Sequence, residues 1–251
     1  MSAAPSAAFY ALIAGTGSGT GAAAALRFAR SYPVVLLARS PASYQPVVDQ
    51  IRAAGGVAHG LSADVADPAA LDAALASVES DLLPGARLAA AVYNANAGFA
   101  VKPFLDLTVG DLDASLGTGA YGLFHFAQRT IPLLLAAVPS SPHPPSLIVT
   151  GATASVRGSA RFASFAAAKF AQRALAQSLA REFGPRGVHV ALAIVDGSID
   201  TPWGKDRVAN GGVDDGKIKP EAVSLARART LLSLSHSPFP FPFALDVARG
   251  C

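Results

Sequence analysis

The first residues in this chain with a recognisable chemistry are glycines, Gly15-x-x-x-Gly19-x-Gly21, with Ser18 and Thr20 inside the same turn. They stand where an apolar run, Phe9–Ala14, gives way to an alanine-rich stretch. Glycines at such a junction let the backbone turn tightly and approach a pyrophosphate, and the helix that follows offers N–H groups and a partial positive charge. The second apolar run closes as Leu37-Ala38-Arg39-Ser40, without an acid. An acid there would accept from a ribose 2′-hydroxyl; Arg39 beside Ser40 presents a planar fork to a 2′-phosphate, which favours NADP(H) over NAD(H). Asp64 and Val65 close the third run, where a carboxylate either accepts from an adenine amino group or caps a local turn.

These residues need a scaffold, and the order of elements supplies one. Strands are predicted over Phe9–Ala14, Val34–Ala38, Ala58–Ala63, Leu88–Tyr93, Leu147–Thr150 and Val188–Val195. Between them lie helical patterns at Ala22–Arg30, Tyr44–Ala54, Asp67–Leu82 with Asp67 as cap and Pro68 at the first position, Val109–Val138 with a kink near Pro132, and Phe165–Phe183. Thr108 and Asp111 have capping-box spacing. Strands alternating with helices predict parallel βαβ units, hence a single α/β domain of the Rossmann type, a doubly wound sheet of seven strands with helices on both faces. Residues 204–233 read as a substrate loop or lid with a helix from Glu221, and 234–251 as a C-terminal arm or edge strand.

Composition excludes several classes. Of 251 residues 51% are hydrophobic and 15% charged, far from the signature of disorder. No apolar run is long enough for a membrane helix, and Met1–Ala8 lacks a basic leader, so neither a membrane span nor secretion is expected. The single cysteine, Cys251, forms no internal disulfide, which suits a cytoplasmic home. The formal charge of +3 is spread over single basic residues rather than a patch, which argues against a nucleic-acid partner.

Taken in order, the glycine turn, Asn96-Ala97-Gly98 after the fourth strand, Phe165-x-x-x-Lys169, and Asp196-Gly197 followed by Thr201-Pro202 resemble the short-chain dehydrogenase/reductase family over residues 9–203. The resemblance implies that the glycine turn, Asn96, Ala97, Gly98, Lys169, Gly197 and the stretch Ile199–Thr201 hold the cofactor. It also implies a homodimer or homotetramer built on the helices at 109–138 and 165–183, acting on a small-molecule substrate.

The resemblance fails at the catalytic positions. Family members place Tyr four residues before the Lys; this chain has Phe165, which has no proton to pass. General acid–base catalysis contributes about 10²–10⁴-fold, so its loss costs roughly 3–5 kcal/mol of barrier in simple carbonyl reduction. The position of the usual Ser falls on Ala152, with Thr153 or Ser155 able to supply a hydroxyl from a displaced loop or merely to bond local backbone. The position of the usual Asn falls on Gly119, and Asp196-Gly197 replaces Pro-Gly. Ser164, Tyr121, His125, Asp196 and Asp200 are neighbours with weaker claims, and Trp203, Phe99 and Phe104 suggest an apolar substrate. Three functions fit: an NADP(H)-dependent oxidoreductase acting on a carbonyl, an imine or an activated C=C bond, a redox-neutral isomerase or cyclase, and a non-catalytic NADP-binding protein.

Overall fold

The computed structural model describes residues 8–202, 216–224 and 244–249. Strand β1 (Phe9–Ala14) is buried from Tyr10 onward: Tyr10, Leu12 and Ala14 enter one core, Ala11 and Ile13 the other. A strand that is apolar on both faces is stable between two helical layers, so its sequence runs continuously apolar instead of alternating. β2 (Val34–Ala38), β3 (Ala58–Ser62), β4 (Arg87–Tyr93), β5 (Ser146–Thr150), β6 (His189–Asp196) and β7 (Ala244–Arg249) join it in the order β3-β2-β1-β4-β5-β6-β7. Neighbouring strands pair in parallel. The order reverses between β1 and β4, and open α/β sheets bind ligands at the carboxyl ends of strands beside such a switch point.

Helices α1 (Thr20–Phe28), α2 (Pro41–Ala53), α3 (Pro68–Ser77), α4 (Val109–Leu116), α5 (Leu123–Ala137) and α6 (Ala163–Phe183) make up the two outer layers. Asp67 caps α3 by accepting from Ala69 N–H and Ala70 N–H at 2.9 and 3.4 Å. Such a cap contributes about 1 kcal/mol. At α4 the box is complete: Thr108 Oγ1 accepts from Asp111 N–H, and the Asp111 carboxylate accepts from Thr108 N–H. α2 starts at Pro41, earlier than the expected Tyr44, because proline's fixed φ suits the first helical position. Among the described residues no helix is long and apolar enough to cross a membrane.

The single helix expected over 109–138 is divided, and not at Pro132, which lies inside α5. The interruption is a π-helical turn, Gly117–Gly122. Glycine weakens a helix interior, and here it also permits close contact. A Cβ on Gly119 would lie 2.7 Å from the Cβ of Ala168 on α6, and one on Gly122 would strike the Tyr93 hydroxyl. That buried hydroxyl, its pKa raised chiefly by burial and also by Asp64, donates to Thr118 O and pins the turn to the end of β4.

The C-terminal stretch is described in part. Within residues 204–233, expected as a loop or lid, residues 216–224 dock: Ile218 bridges Ile199, and Ile218 and Val223 are buried with Val195 of β6. Residues 220–224 are helical, and the remainder of the expected helix to Ser233 lies outside the described residues. The Pro/Phe run 236–243 lies outside them as well, and the edge position beside β6 is taken by β7.

Candidate active site

Over the carboxyl ends of β1 to β4 lies a groove of about 420 Å³. Gly15 and Thr20 of the glycine turn, Arg39 and Ser40 after β2, Asp64 and Val65 after β3, and Asn96 and Ala97 after β4 all line it. Gly15 sits at φ +85°, and a Cβ there would lie 2.3 Å from Ala95 N, so neither the backbone conformation nor the space admits another residue. A Cβ on Gly21 would strike Gly15 O, which fixes how closely α1 approaches the turn. Gly19 touches the Thr201 methyl, which would lie 2.8 Å from an added Cβ; the Ile199–Thr201 stretch therefore reaches the turn from the far side of the sheet. Ser18 and Arg39 are exposed. Asp64 Oδ1 accepts from Ala66 N–H at 2.9 Å, so it closes its turn while lining the groove.

Asn94, which sequence reasoning passed over in favour of Asn96, is the residue that holds the groove together. Its Nδ2 donates to Gly15 O at 3.0 Å, and its Oδ1 accepts from Thr20 Oγ1 at 3.0 Å and Thr150 Oγ1 at 2.9 Å. One side chain thereby fastens the glycine turn, the start of α1 and the end of β5 to β4. Asn96 is exposed and lines the groove. Gly98, at φ +64°, has its carbonyl bonded by Ser115 Oγ of α4, where a Cβ would meet Ser115 N at 2.4 Å.

On α6, Phe165 and Lys169 lie one turn apart, with Lys169 Nζ 5.6 Å from the centre of the Phe165 ring. Lys169 is buried; its ammonium donates to Thr150 O at 3.1 Å and to Gln172 Oε1 at 2.9 Å. Gln172, which sequence reasoning did not single out, is buried completely, and its Nε2 has no hydrogen-bond partner among the described residues. Leaving such a donor unsatisfied costs about 1–3 kcal/mol. Its only sequence signal was a polar residue three positions after Lys169, on the stripe of α6 that faces the sheet.

The other candidates are dispersed. Thr153 Oγ1 donates to Asp196 Oδ1 at 2.6 Å, a bond that commits its hydroxyl to the end of β6. Ser155 Oγ donates to Ala152 O, and Ser164, though buried beside Phe165, has no hydrogen-bond partner for its hydroxyl among the described residues. Gly119 is buried against α6. Tyr121 is exposed, His125 meets Phe124 edge to face, and Gly197 turns at φ +155° after β6. Trp203 lies outside the described residues.

An aromatic wall stands beside Lys169. Phe99 packs on Phe165 and on Phe162, with ring centroids 4.9 and 5.9 Å apart. The loops that carry them are joined where Lys102 N–H donates to Arg161 O; Arg161 holds φ +69°, a conformation that non-glycine residues seldom adopt. The Lys102 ammonium binds both oxygens of Asp111, at 2.8 and 3.0 Å. That contact, with the Thr108 bonds, pulls the Asp111 carboxyl down to about 2. Phe104 stands apart, largely exposed.

Comparison with known proteins agrees with this geometry. The family model for "short chain dehydrogenase" matches residues 10–211. The short-chain reductase protein NovJ of Streptomyces niveus is 30% identical over 219 residues, 84% of this chain and 77% of that protein. A short-chain dehydrogenase from Rhodopseudomonas palustris aligns with TM-score 0.73 and 28% identity, covering 96% of this chain and 99% of its own. One from Burkholderia cenocepacia, solved in complex with NADP, aligns with TM-score 0.79 and 26% identity over 97% of this chain and 98% of its own. With its sheet order, its glycine turn and this match over most of its length, the chain belongs to the short-chain dehydrogenase family.

Proposed function

We propose that this chain is an NADP(H)-dependent oxidoreductase with an atypical active site. The observation that carries the proposal is the groove of about 420 Å³ in which the glycine turn, Arg39, Ser40, Asp64 and Asn96 converge. The NADP held by the Burkholderia cenocepacia relative supports it. The glycine turn and the start of α1 receive the pyrophosphate, Arg39 and Ser40 the 2′-phosphate, and Lys169 the nicotinamide ribose. Thr201, whose methyl lies 2.8 Å from where a Cβ on Gly19 would stand, would border the turn that receives the phosphates. Bound NADPH supplies a hydride at the face of the substrate.

The chain's own residues then define the substrate class. Phe165 excludes water and offers an apolar edge but no proton, and Thr153 is held by Asp196. Such a site suits acceptors that need little acid assistance, an already protonated imine or a polarised C=C bond, in preference to a simple ketone. The wall of Phe99, Phe162 and Phe165 favours an apolar, flat substrate. Val109, Tyr121, Phe124 and Phe170 are exposed along α4, the π-helical turn, α5 and α6, which supports a homodimer or homotetramer built on these helices.

Phe165 also favours a second reading, in which the nucleotide serves as scaffold for a redox-neutral isomerase or cyclase or for a non-catalytic protein. NADPH consumption across ketones, imines and enones, after binding has been measured by fluorescence, separates the two. Oxidoreductase function predicts consumption with at least one imine or enone; tight binding with no consumption of any acceptor would defeat it.

A further inference from the structure

Phe165, Lys169, Gln172, Ala176 and Ala180 follow one another along α6 at intervals of three or four residues, a single stripe. Ala176 and Ala180 pack into the core beneath the sheet. Gln172 continues that packing and is fully buried, yet it carries an amide with four hydrogen-bonding sites. Its oxygen accepts from Lys169 Nζ at 2.9 Å; its Nε2 has no hydrogen-bond partner among the described residues. Packing alone favours leucine or methionine here, since either fills the volume without an orphaned donor. The polar residue is therefore explained by what its oxygen does.

We infer that Gln172 is the positioning residue for Lys169. Its amide oxygen and the Thr150 carbonyl, 2.9 and 3.1 Å from Nζ, hold the ammonium at the carboxyl end of β5 in a site where residue 165 has no hydroxyl to meet it. A neutral acceptor steadies the ammonium without cancelling its charge, which stays available to the nicotinamide half of the cofactor. The inference rests on the assignment of NADP(H) to the groove.

Affinity for NADPH, compared with affinity for 2′,5′-ADP, tests it without turnover, because 2′,5′-ADP carries the 2′-phosphate but no nicotinamide ribose. Gln172→Leu, which removes both the orphaned donor and one acceptor of the buried ammonium, is expected to melt near the wild-type temperature, to keep 2′,5′-ADP affinity within about twofold, and to lose about tenfold in NADPH affinity, ~1.4 kcal/mol. Unchanged NADPH affinity in Gln172→Leu, or equal loss of both ligands, would overturn the inference. Gln172→Met gives the same comparison should Leu impair folding. A wild-type protein that binds neither ligand would overturn the cofactor assignment and this inference with it, whereas wild-type binding of both with no selective loss defeats the inference alone.

Discussion

The ring of Phe99 meets that of Phe165 edge to face, with centroids 4.9 Å apart and planes at 87°. The contact joins the loop after β4 to the first turn of α6 and keeps residue 165 one helical turn from Lys169, whose ammonium lies 5.6 Å from the ring centre. Residue 165 is thus held beside Lys169 by a ring that has no proton to donate.

Phe165→Tyr is accordingly expected to raise ketone reduction by about 10²–10⁴-fold, the usual contribution of a positioned acid. NADPH oxidation with simple ketones measures it. A variant that binds NADPH normally and gains nothing would show that the surroundings of residue 165 no longer support acid catalysis.

Asn at position 119, which the resemblance implies for the site, should fail for a steric reason. Gly119→Asn brings a Cβ to 2.7 Å from Ala168, and such overpacking costs about 1–3 kcal/mol. Combining it with Ala168→Gly is expected to recover part of that loss beyond what the separate effects predict, measured as a coupling energy from denaturant midpoints.

Asn94→Ala removes one donor bond and two accepted bonds that fasten the glycine turn, α1 and β5 to β4. At about 1 kcal/mol per bond, unfolding free energy should fall by roughly 2–3 kcal/mol, and NADPH affinity should fall with it. Asn96→Ala, by contrast, should leave chemical denaturation almost unchanged, because its exposed side chain makes no such ties.

Arg39→Ala should weaken NADPH binding by roughly ten- to a hundredfold, as expected for loss of a charge-assisted bond of about 1.5–3 kcal/mol, and leave NADH binding nearly constant. Titration calorimetry with both nucleotides checks it. Equal effects on the two would remove the basis for NADP(H) preference.

Burial pushes the His189 imidazole at the start of β6 down to about 4, below the ordinary value near 6.5. Between those values the unfolded chain binds the additional proton, so stability is full above pH 6.5 and declines as the pH falls toward 4. The total is roughly 3 kcal/mol. Denaturant midpoints followed from pH 7 to 4 should show this fall, and His189→Gln should flatten it.

What could be read directly from the chain was chiefly local. Asp67 before Pro68, Thr108 three residues before Asp111, and glycines between an apolar run and an alanine-rich helix each express their physics within a few positions. Asn94 was missed because its bonds reach residues 56 to 79 positions away, while Asn96 fits the family pattern. The division of the helix at Gly117–Gly122 was misplaced to Pro132 because the glycines' partners, Ala168 and Tyr93, belong to other elements. Likewise the Thr153–Asp196 bond needs the end of β6, the aromatic wall needs the loop after β4 against α6, and the burial of Gln172 needs α6 against the sheet.

The π-helical turn at Gly117–Gly122 acts as a phase shifter. One residue of an α-helix advances the side chains by about 100°, so the widened turn lets α4 address α6 while α5, nearly continuous with it, presents Phe126 and Leu134 to the sheet. Deleting a single residue there would preserve the helix yet rotate everything beyond it, turning core side chains to solvent. In this chain, the length of a short glycine segment therefore sets which way an entire helix faces.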